Sequence, residues 1–325
     1  MIGKRTTSLS SLLFSIFHLT LTRINSYILK IKNLVAAAYA PMNQDGSLNP
    51  SLIKNYTQFL IRNNITGVFM NGSTGDFTSL TVAERKTLTL TWSEHKSKEL
   101  FLIDHVGHTS LKVSKELATY ASDKVDAIAA LAPYYFRLNS IEKLIEYCKE
   151  IAACAPNIPF YYYHIPVLSG ADLNMHDFLE KAEEVIPNLA GIKFTNNNLI
   201  DYQHSKKYKN NKFNILFGYD ELFINSLPLG ATGWVGSTYN HLAPLYYKIK
   251  TLFKNGDMET AADLQNKAIK FVEILNSKGG FNGVGKGFMR SLGIDCGQSR
   301  FPHTTLTDAD YEDIRKELDA IGLTS

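Results

Sequence analysis

Only three cysteines occur in the 325 residues: Cys148, Cys154 and Cys296. They are odd in number and lack metal-ligand spacing, which excludes a disulfide scaffold. They suggest a reducing compartment and packed or half-buried thiols. Acidic residues are absent from the first 44 positions, which hold Lys4, Arg5, Arg23, Lys30 and Lys32. The rest of the chain carries the other 29 of the 34 basic residues against all 31 acidic ones, a net −2 behind an overall +3. The body is therefore no basic nucleic-acid binder. Low-complexity stretches and repeats beyond a strand–helix unit are lacking, which excludes fibrous and disordered classes. No apolar run is long enough to span a bilayer, so no membrane partner is expected for the folded body.

Residues 1–33 stand apart as an N-terminal extension. Lys4-Arg5 precede Leu12-Leu13-Phe14-Ser15-Ile16-Phe17, which His18 interrupts. Three readings fit: a poor signal peptide, an organelle transit peptide, or a disordered start. Asn55-Tyr56-Thr57, Asn64-Ile65-Thr66 and Asn71-Gly72-Ser73 match the glycosylation pattern. The third falls in the loop assigned below to the active site, where a glycan would block access. That favours a cytoplasmic location over the secretory route.

From residue 34 onward, short apolar runs alternate with segments of helical period. The runs are 34–40, 67–70, 100–106, 126–132, 159–165, 189–194, 213–217 and 232–235. Their brevity and their Gly, Pro or Asn boundaries suit buried parallel strands. Between them, Asn49-Pro50 reads as an N-cap with a first-turn proline. Leu52, Ile53, Tyr56, Phe59 and Leu60 then share one helical face. Thr81 to Glu84 reads as a capping box. Ile141, Leu144, Ile145, Cys148 and Ile151 form another apolar face. Eight such units predict a (β/α)8 TIM barrel over residues 34–240, with an open doubly wound sheet as the alternative. Residues 241–325 read as additional C-terminal helices near 244–255, 258–277, 285–292 and 307–321.

A barrel of this kind works at the C-terminal ends of its strands. Those ends carry Gly72-Ser73-Thr74-Gly75-Asp76, Tyr134-Tyr135, Tyr161 to Pro166, Lys193-Phe194-Thr195, Gly218-Tyr219-Asp220-Glu221 and Gly236-Ser237-Thr238. Lys193 sits inside a buried run and cannot reach water easily. Desolvation lowers the affinity of such an amine for its proton, and a neutral amine can attack a ketone to form a Schiff base. The competing reading is a structural lysine paired with Asp220 or Glu221. Ser73 and Thr74 lie in a turn rich in N–H groups before a helix, which suits a carboxylate. Tyr161 and Tyr163 share a strand face, and only Tyr163 is near the strand end, where a phenol could move protons.

Two other patterns carry less. Gly280 to Gly287 nearly matches a phosphate loop, but Ser or Thr is missing after Lys286 and a helical segment precedes it. Asp104, His105 and His108 could suggest a metal, yet histidines three apart on an extended segment do not share a face. No metal and no nucleotide cofactor is expected.

The motifs at residues 72–75, 161–166, 191–195, 218–221 and 236–240 keep an order and spacing that resemble the dihydrodipicolinate synthase-like family. Within it they are similar to the N-acetylneuraminate lyase (sialic acid aldolase) branch, over roughly residues 33 to 320. The resemblance implies a homotetrameric, cofactor-free class I aldolase that takes a small-molecule substrate, sialic acid, and releases N-acetylmannosamine and pyruvate. It implies Lys193 as the Schiff-base lysine and Tyr163 as the proton donor and acceptor. Ser73 and a neighbouring subunit's Tyr135 would join the proton relay. Ser73 and Thr74 would hold the carboxylate; Thr195, Gly218, Asp220, Glu221 and Ser237 would hold the sugar hydroxyls. Leu168 stands where the sister synthases typically carry an arginine for a second carboxylate. The Asp220-Glu221 pair likewise favours a neutral polyol. Asp76 replaces the family's usual glutamate, and Asn196-Asn197-Asn198 is an unusual run. Two alternatives remain open: a sister aldolase or synthase on another 2-keto-3-deoxy sugar acid, and a catalytically silent sugar-acid binding protein.

Overall fold

Each of the eight apolar runs becomes one strand in the computed structural model, which describes residues 30–323. The strands are β1 (Asn33–Ala37), β2 (Gly67–Met70), β3 (Phe101–His105), β4 (Ala127–Leu131), β5 (Phe160–His164), β6 (Leu189–Phe194), β7 (Asn214–Phe217) and β8 (Gly233–Gly236). They pair in parallel, in chain order, and β8 returns to β1 to close the barrel. Several apolar runs continue one to three residues past the ladder. Ala38, Tyr39 and Ala40 are buried although β1 ends at Ala37. Apolarity reports burial, and the chain stays buried at the barrel mouth after strand pairing stops.

Alternation along the strands separates two cores. Val35, Phe69, Ile103, Ala129, Tyr161, Tyr163 and Leu216 fill the barrel interior, with Ile31 below them. Leu34, Val68, Leu102, Ile128, Tyr162, Ile192 and Trp234 face outward to the helices. A parallel sheet buried on both faces needs apolar residues in both registers, which is why the strands read as unbroken runs. Tyr163 pairs in register with Lys193, and both point inward from adjacent strands.

The outer helices are α1 (Ile53–Arg62), α2 (Val82–Glu94), α3 (Leu111–Ala121), α4 (Ile141–Ala152), α5 (Met175–Ala182), α6 (Leu199–Lys207), the short α7 (Phe223–Ser226) and α8 (Tyr239–Lys254). The expected cap at Asn49 is not made. A 3-10 turn, Pro50–Leu52, precedes α1, and the Asn49 side chain accepts from the Ser51 hydroxyl at 2.6 Å instead. Helix α8 begins at Tyr239 rather than near 244, but its backbone leaves helical angles at Leu242. Pro244 cannot donate to the preceding turn and crowds it, so the break falls just before the proline. Asn240 ties α8 to the barrel by donating to the Ala37 and Ser237 carbonyls.

Beyond α8 lie α9 (Met258–Ser277), α10 (Phe281–Phe288) and α11 (Asp308–Ala320). Gln265 of α9 reaches the loop after β7: it donates to the Asp220 carbonyl and accepts from the Ile224 N–H. The added helices therefore hold the barrel's working end.

At the start of α2 the capping box forms in full. Thr81 accepts from the Glu84 N–H, and the Glu84 carboxylate accepts from the Thr81 N–H at 2.8 Å. Thr81→Ala leaves one donor of the first turn without its cap. Urea unfolding is expected to show a loss of about 1 kcal/mol.

Candidate active site

Strand β6 carries Lys193 into the barrel interior, where the side chain is 4% exposed. Its Nζ lies 4.1 Å from the centre of the Phe69 ring and 4.0 Å from that of Tyr163. Among the described residues no carboxylate comes within ion-pair distance of it, so the alternative of a Lys193–Asp220 or Lys193–Glu221 salt bridge is not realised. Burial pushes the amine down to about 7, and the charge of Asp220 pulls back only partly. Aromatic faces offer some attraction to an ammonium, but far less than water does. The result is an amine that is substantially neutral near neutral pH.

Tyr163 stands beside it on β5. Its hydroxyl is 3.4 Å from Ser73 Oγ. Burial pushes the phenol up to about 12, and the Ser73 hydroxyl opposes that shift. Phe69 and His105 meet the Tyr163 ring edge-on, at 5.4 and 5.8 Å between centres. Tyr161, on the same strand face, donates instead to Asn214 Oδ1 deep in the barrel.

The turn after β2 brings Ser73 and Thr74 to the mouth, both partly buried. Beneath it lies a buried polar network. Asn71 donates to Asp104 Oδ1 at 2.8 Å, and Thr89 donates to Asp104 Oδ2 at 2.7 Å. Burial raises the Asp104 carboxyl to about 6. His105 Nδ1 bonds the Asn71 carbonyl, its Nε2 accepts from the Leu131 N–H, and burial keeps the ring neutral. His108 accepts from the Ser110 N–H. These histidines are structural. Asn71 is itself buried, so its glycosylation pattern is inaccessible in the fold, while Asn55 and Asn64 are exposed.

On the opposite side, β6, β7 and β8 end in the remaining candidates. Thr195 Oγ1 is buried without a partner. At Gly218 an added Cβ would lie 2.2 Å from that oxygen, and at Gly236 one would lie 1.8 Å from Asp220 Oδ1. Both positions need glycine for this close approach. Asp220 Oδ2 accepts from the Thr238 N–H and hydroxyl, leaving Oδ1 unpartnered. Burial raises both Asp220 and Glu221, and for Glu221 the neighbouring Asp220 charge adds to it. Ser237 is half-buried at the end of β8.

Tyr135 departs from this group. It is 78% exposed, and its ring meets Phe136 edge-on. Tyr134 takes the inner place: with Ser73, Phe77, Leu131, Leu168 and His303 it lines a cavity of about 250 Å³. His303 had no local signal in the sequence, since it lies far downstream in an irregular loop. Phe69 had none either, because one more aromatic in a strand reads as core. Two of the unusual asparagines have structural duties: Asn198 caps α6, and Asn196 bonds His164. The glycine-rich segment at 280–287 is helix α10, and Lys286 is buried there, donating to the Gln298 carbonyl. It cannot cradle a phosphate. All three cysteines are free, Cys148 and Cys296 buried. Among the described residues no helix is long and apolar enough to cross a membrane.

A closed barrel with a buried amine, a phenol and a turn carrying two hydroxyls at one mouth defines a class: the lysine-bearing (β/α)8 barrels. The chain belongs to the dihydrodipicolinate synthetase family, whose model matches residues 30–321. It is 36% identical over 289 residues to N-acetylneuraminate lyase A of Xenopus laevis, covering 87% of this chain and 94% of that one. To the N-acetylneuraminate lyase of Homo sapiens it is 36% identical over 278 residues, 84% and 87% of the two chains. The solved structure of Proteus mirabilis N-acetylneuraminate lyase superposes with a TM-score of 0.87 at 35% identity, covering 90% of this chain and 99% of that one.

The desolvated amine has a cost to folding. Its proton affinity is lower folded than unfolded, so the unfolded chain binds the extra proton and stability rises with pH between about 7 and 10.4. Lys193→Met removes that cost. At pH 7 the variant is expected to be more stable than wild type by roughly 2–4 kcal/mol, an advantage that shrinks as pH approaches 10. Chemical denaturation at pH 7 and pH 9.5 measures it.

Proposed function

We propose that the protein is a class I aldolase that cleaves N-acetylneuraminate to N-acetylmannosamine and pyruvate. The observation that carries this reading is the Lys193 amine, buried between two aromatic rings with no carboxylate partner and brought down to about 7. Such an amine is nucleophilic at neutral pH without a separate base.

The cycle follows from the neighbours. Lys193 adds to the C2 ketone of the open-chain sugar acid. Tyr163, held protonated by burial, protonates the departing hydroxyl of the adduct, and water leaves. The protonated imine now withdraws electrons from C3. The Tyr163 phenolate takes the proton of the C4 hydroxyl, the C3–C4 bond breaks, and its electron pair forms an enamine while C4 becomes the aldehyde of N-acetylmannosamine. Tyr163 returns the proton to C3. Water then hydrolyses the imine, its proton passing to the phenolate, and pyruvate leaves with Lys193 free. Ser73, 3.4 Å from the phenol, supports that relay. Ser73 and Thr74 hold the carboxylate, as a turn of free N–H and hydroxyl groups can. The sugar hydroxyls meet Thr195, Gly218, Asp220, Glu221 and Ser237. Leu168 at the rim, in place of a cation, supports a polyol partner over a dicarboxylate.

We extend the reading to assembly and place. Tyr135 and Phe136 after β4, and Val167 and Leu168 in the short helix Pro166–Ser169 after β5, are exposed on segments that meet where Arg137 packs on Gly170. An exposed apolar cluster of this kind suits a second copy of the chain within a homotetramer, and Tyr135 would then serve the neighbouring site. The free thiols favour the cytoplasm.

Borohydride trapping with N-acetylneuraminate, followed by peptide mass mapping, tests the reading. A pyruvate-derived adduct on Lys193 is expected, and none on Lys193→Met, which should lose cleavage altogether. Tyr163→Phe is expected to lower turnover about 10²–10⁴-fold while still allowing the adduct to form slowly. Labelling by pyruvate but not by N-acetylneuraminate would keep the chemistry and remove the sugar. No labelling by either would leave a silent binder.

A further inference from the structure

Two non-glycine residues in left-handed conformation bracket the turn that faces Tyr163: Asn71 at φ 55° and Asp76 at φ 52°. Such conformations persist only where the surroundings hold them. Asn71 is held from the barrel side by Asp104 and Thr89. The rest of the turn is held from the other side by residues more than two hundred positions downstream. The Asn282 side-chain amide donates to the Ser73 carbonyl at 2.7 Å. His303 Nε2 lies 3.3 Å from Asp76 Oδ1.

The donor is rigid. Asn282 lies in the first turn of α10, and the Phe281 N–H before it is fixed on Asn276 Oδ1. At Gly283 an added Cβ would lie 2.2 Å from the Thr304 carbonyl, so α10 packs backbone-close against the loop that carries His303. Arg300 anchors that loop independently, through Glu84 and the Ser79 and Gly46 carbonyls. The C-terminal segment is therefore tied down without the Asn282 bond.

That bond does something else. A planar trans peptide points its N–H opposite to its C=O. With the Ser73 carbonyl fixed toward Asn282, and shared with the Asp76 N–H at 3.0 Å, the Thr74 N–H turns away from the C-terminal segment. Among the described residues no acceptor takes it. We propose that Asn282 is a positioning residue. By holding the Ser73 carbonyl it presets the Ser73–Thr74 peptide so that the Thr74 N–H meets the substrate's carboxylate. This rests on the assignment of Ser73 and Thr74 to that carboxylate.

The test uses full-length wild type, Asn282→Leu and Asn282→Gln. Leucine keeps the volume and loses the donor; glutamine keeps an amide. Each protein is labelled with borohydride at rising concentrations of pyruvate and, separately, of pyruvamide, which has the ketone but no carboxylate. Asn282→Leu is expected to raise the half-saturation for pyruvate about tenfold and leave that for pyruvamide within twofold. KM for N-acetylneuraminate should rise in step while kcat falls less than twofold, with the thermal midpoint unchanged and Asn282→Gln nearer to wild type. Equal half-saturation for pyruvate in Asn282→Leu and wild type overturns the inference alone. So does an equal loss for pyruvate and pyruvamide, which would mean a general disturbance. A wild type that pyruvate cannot label overturns the Schiff-base reading and this inference with it.

Discussion

Lys193 cannot keep a hydration shell where β6 puts it. Its amine lies between two ring faces, inside a barrel whose other inward residues are mostly apolar or aromatic and include no carboxylate within ion-pair distance of it among the described residues. Withdrawing water raises the free energy of the ammonium form and not of the amine. The barrel's register supplies this condition, since Tyr163 and Lys193 are paired neighbours on adjacent strands. A one-residue slip of β6 would turn the lysine outward into the helix layer. Reactivity and barrel closure are therefore one constraint seen at two scales.

Around that amine the mouth divides into two polar banks. On the β2 side stand the Ser73 and Thr74 hydroxyls; on the β7–β8 side stand two carboxyl groups with raised proton affinity. Each bank is backed by structure outside the strand it ends. Asp104 supports the first from β3, and Gln265 supports the second from α9. A site assembled from loops gains its precision from such backing, because loops alone do not fix a hydroxyl to within a few tenths of an ångström.

Much of this was legible in the sequence. Eight short apolar runs at strand spacing gave the barrel, and a lysine inside one of them drew attention because no other charged residue shares that run. Positions that depend on distant contacts were not legible. Tyr134 and Tyr135 are adjacent and alike, and only the fold shows that the first lines the cavity and the second stands in solvent. Asn196 and Asn198 looked like departures in the sugar site, but one meets His164 and the other caps a helix. Sequence patterns carry periodicity and local capping well; they do not carry which of two neighbours turns inward once the ladder has ended.

The ties from Asn282 and His303 to the turn after β2 also impose an order in time. On a growing chain the first seven strands can emerge and begin to pair while the ribosome still holds the segment that fixes the Ser73 carbonyl. Closure of β8 on β1 comes later, and the clamp on the turn later still. A chain halted after α8 would have Lys193, Tyr163, Asp220 and Glu221, yet the turn at Ser73 and Thr74 would lack the contacts from Asn282 and His303. The roughly fifty residues between the end of α8 at Lys254 and His303 thus separate a nearly complete barrel from one whose turn after β2 is held on both sides. On the proposed reading of the site, premature termination in that stretch removes a support of the site even though it lies outside every strand.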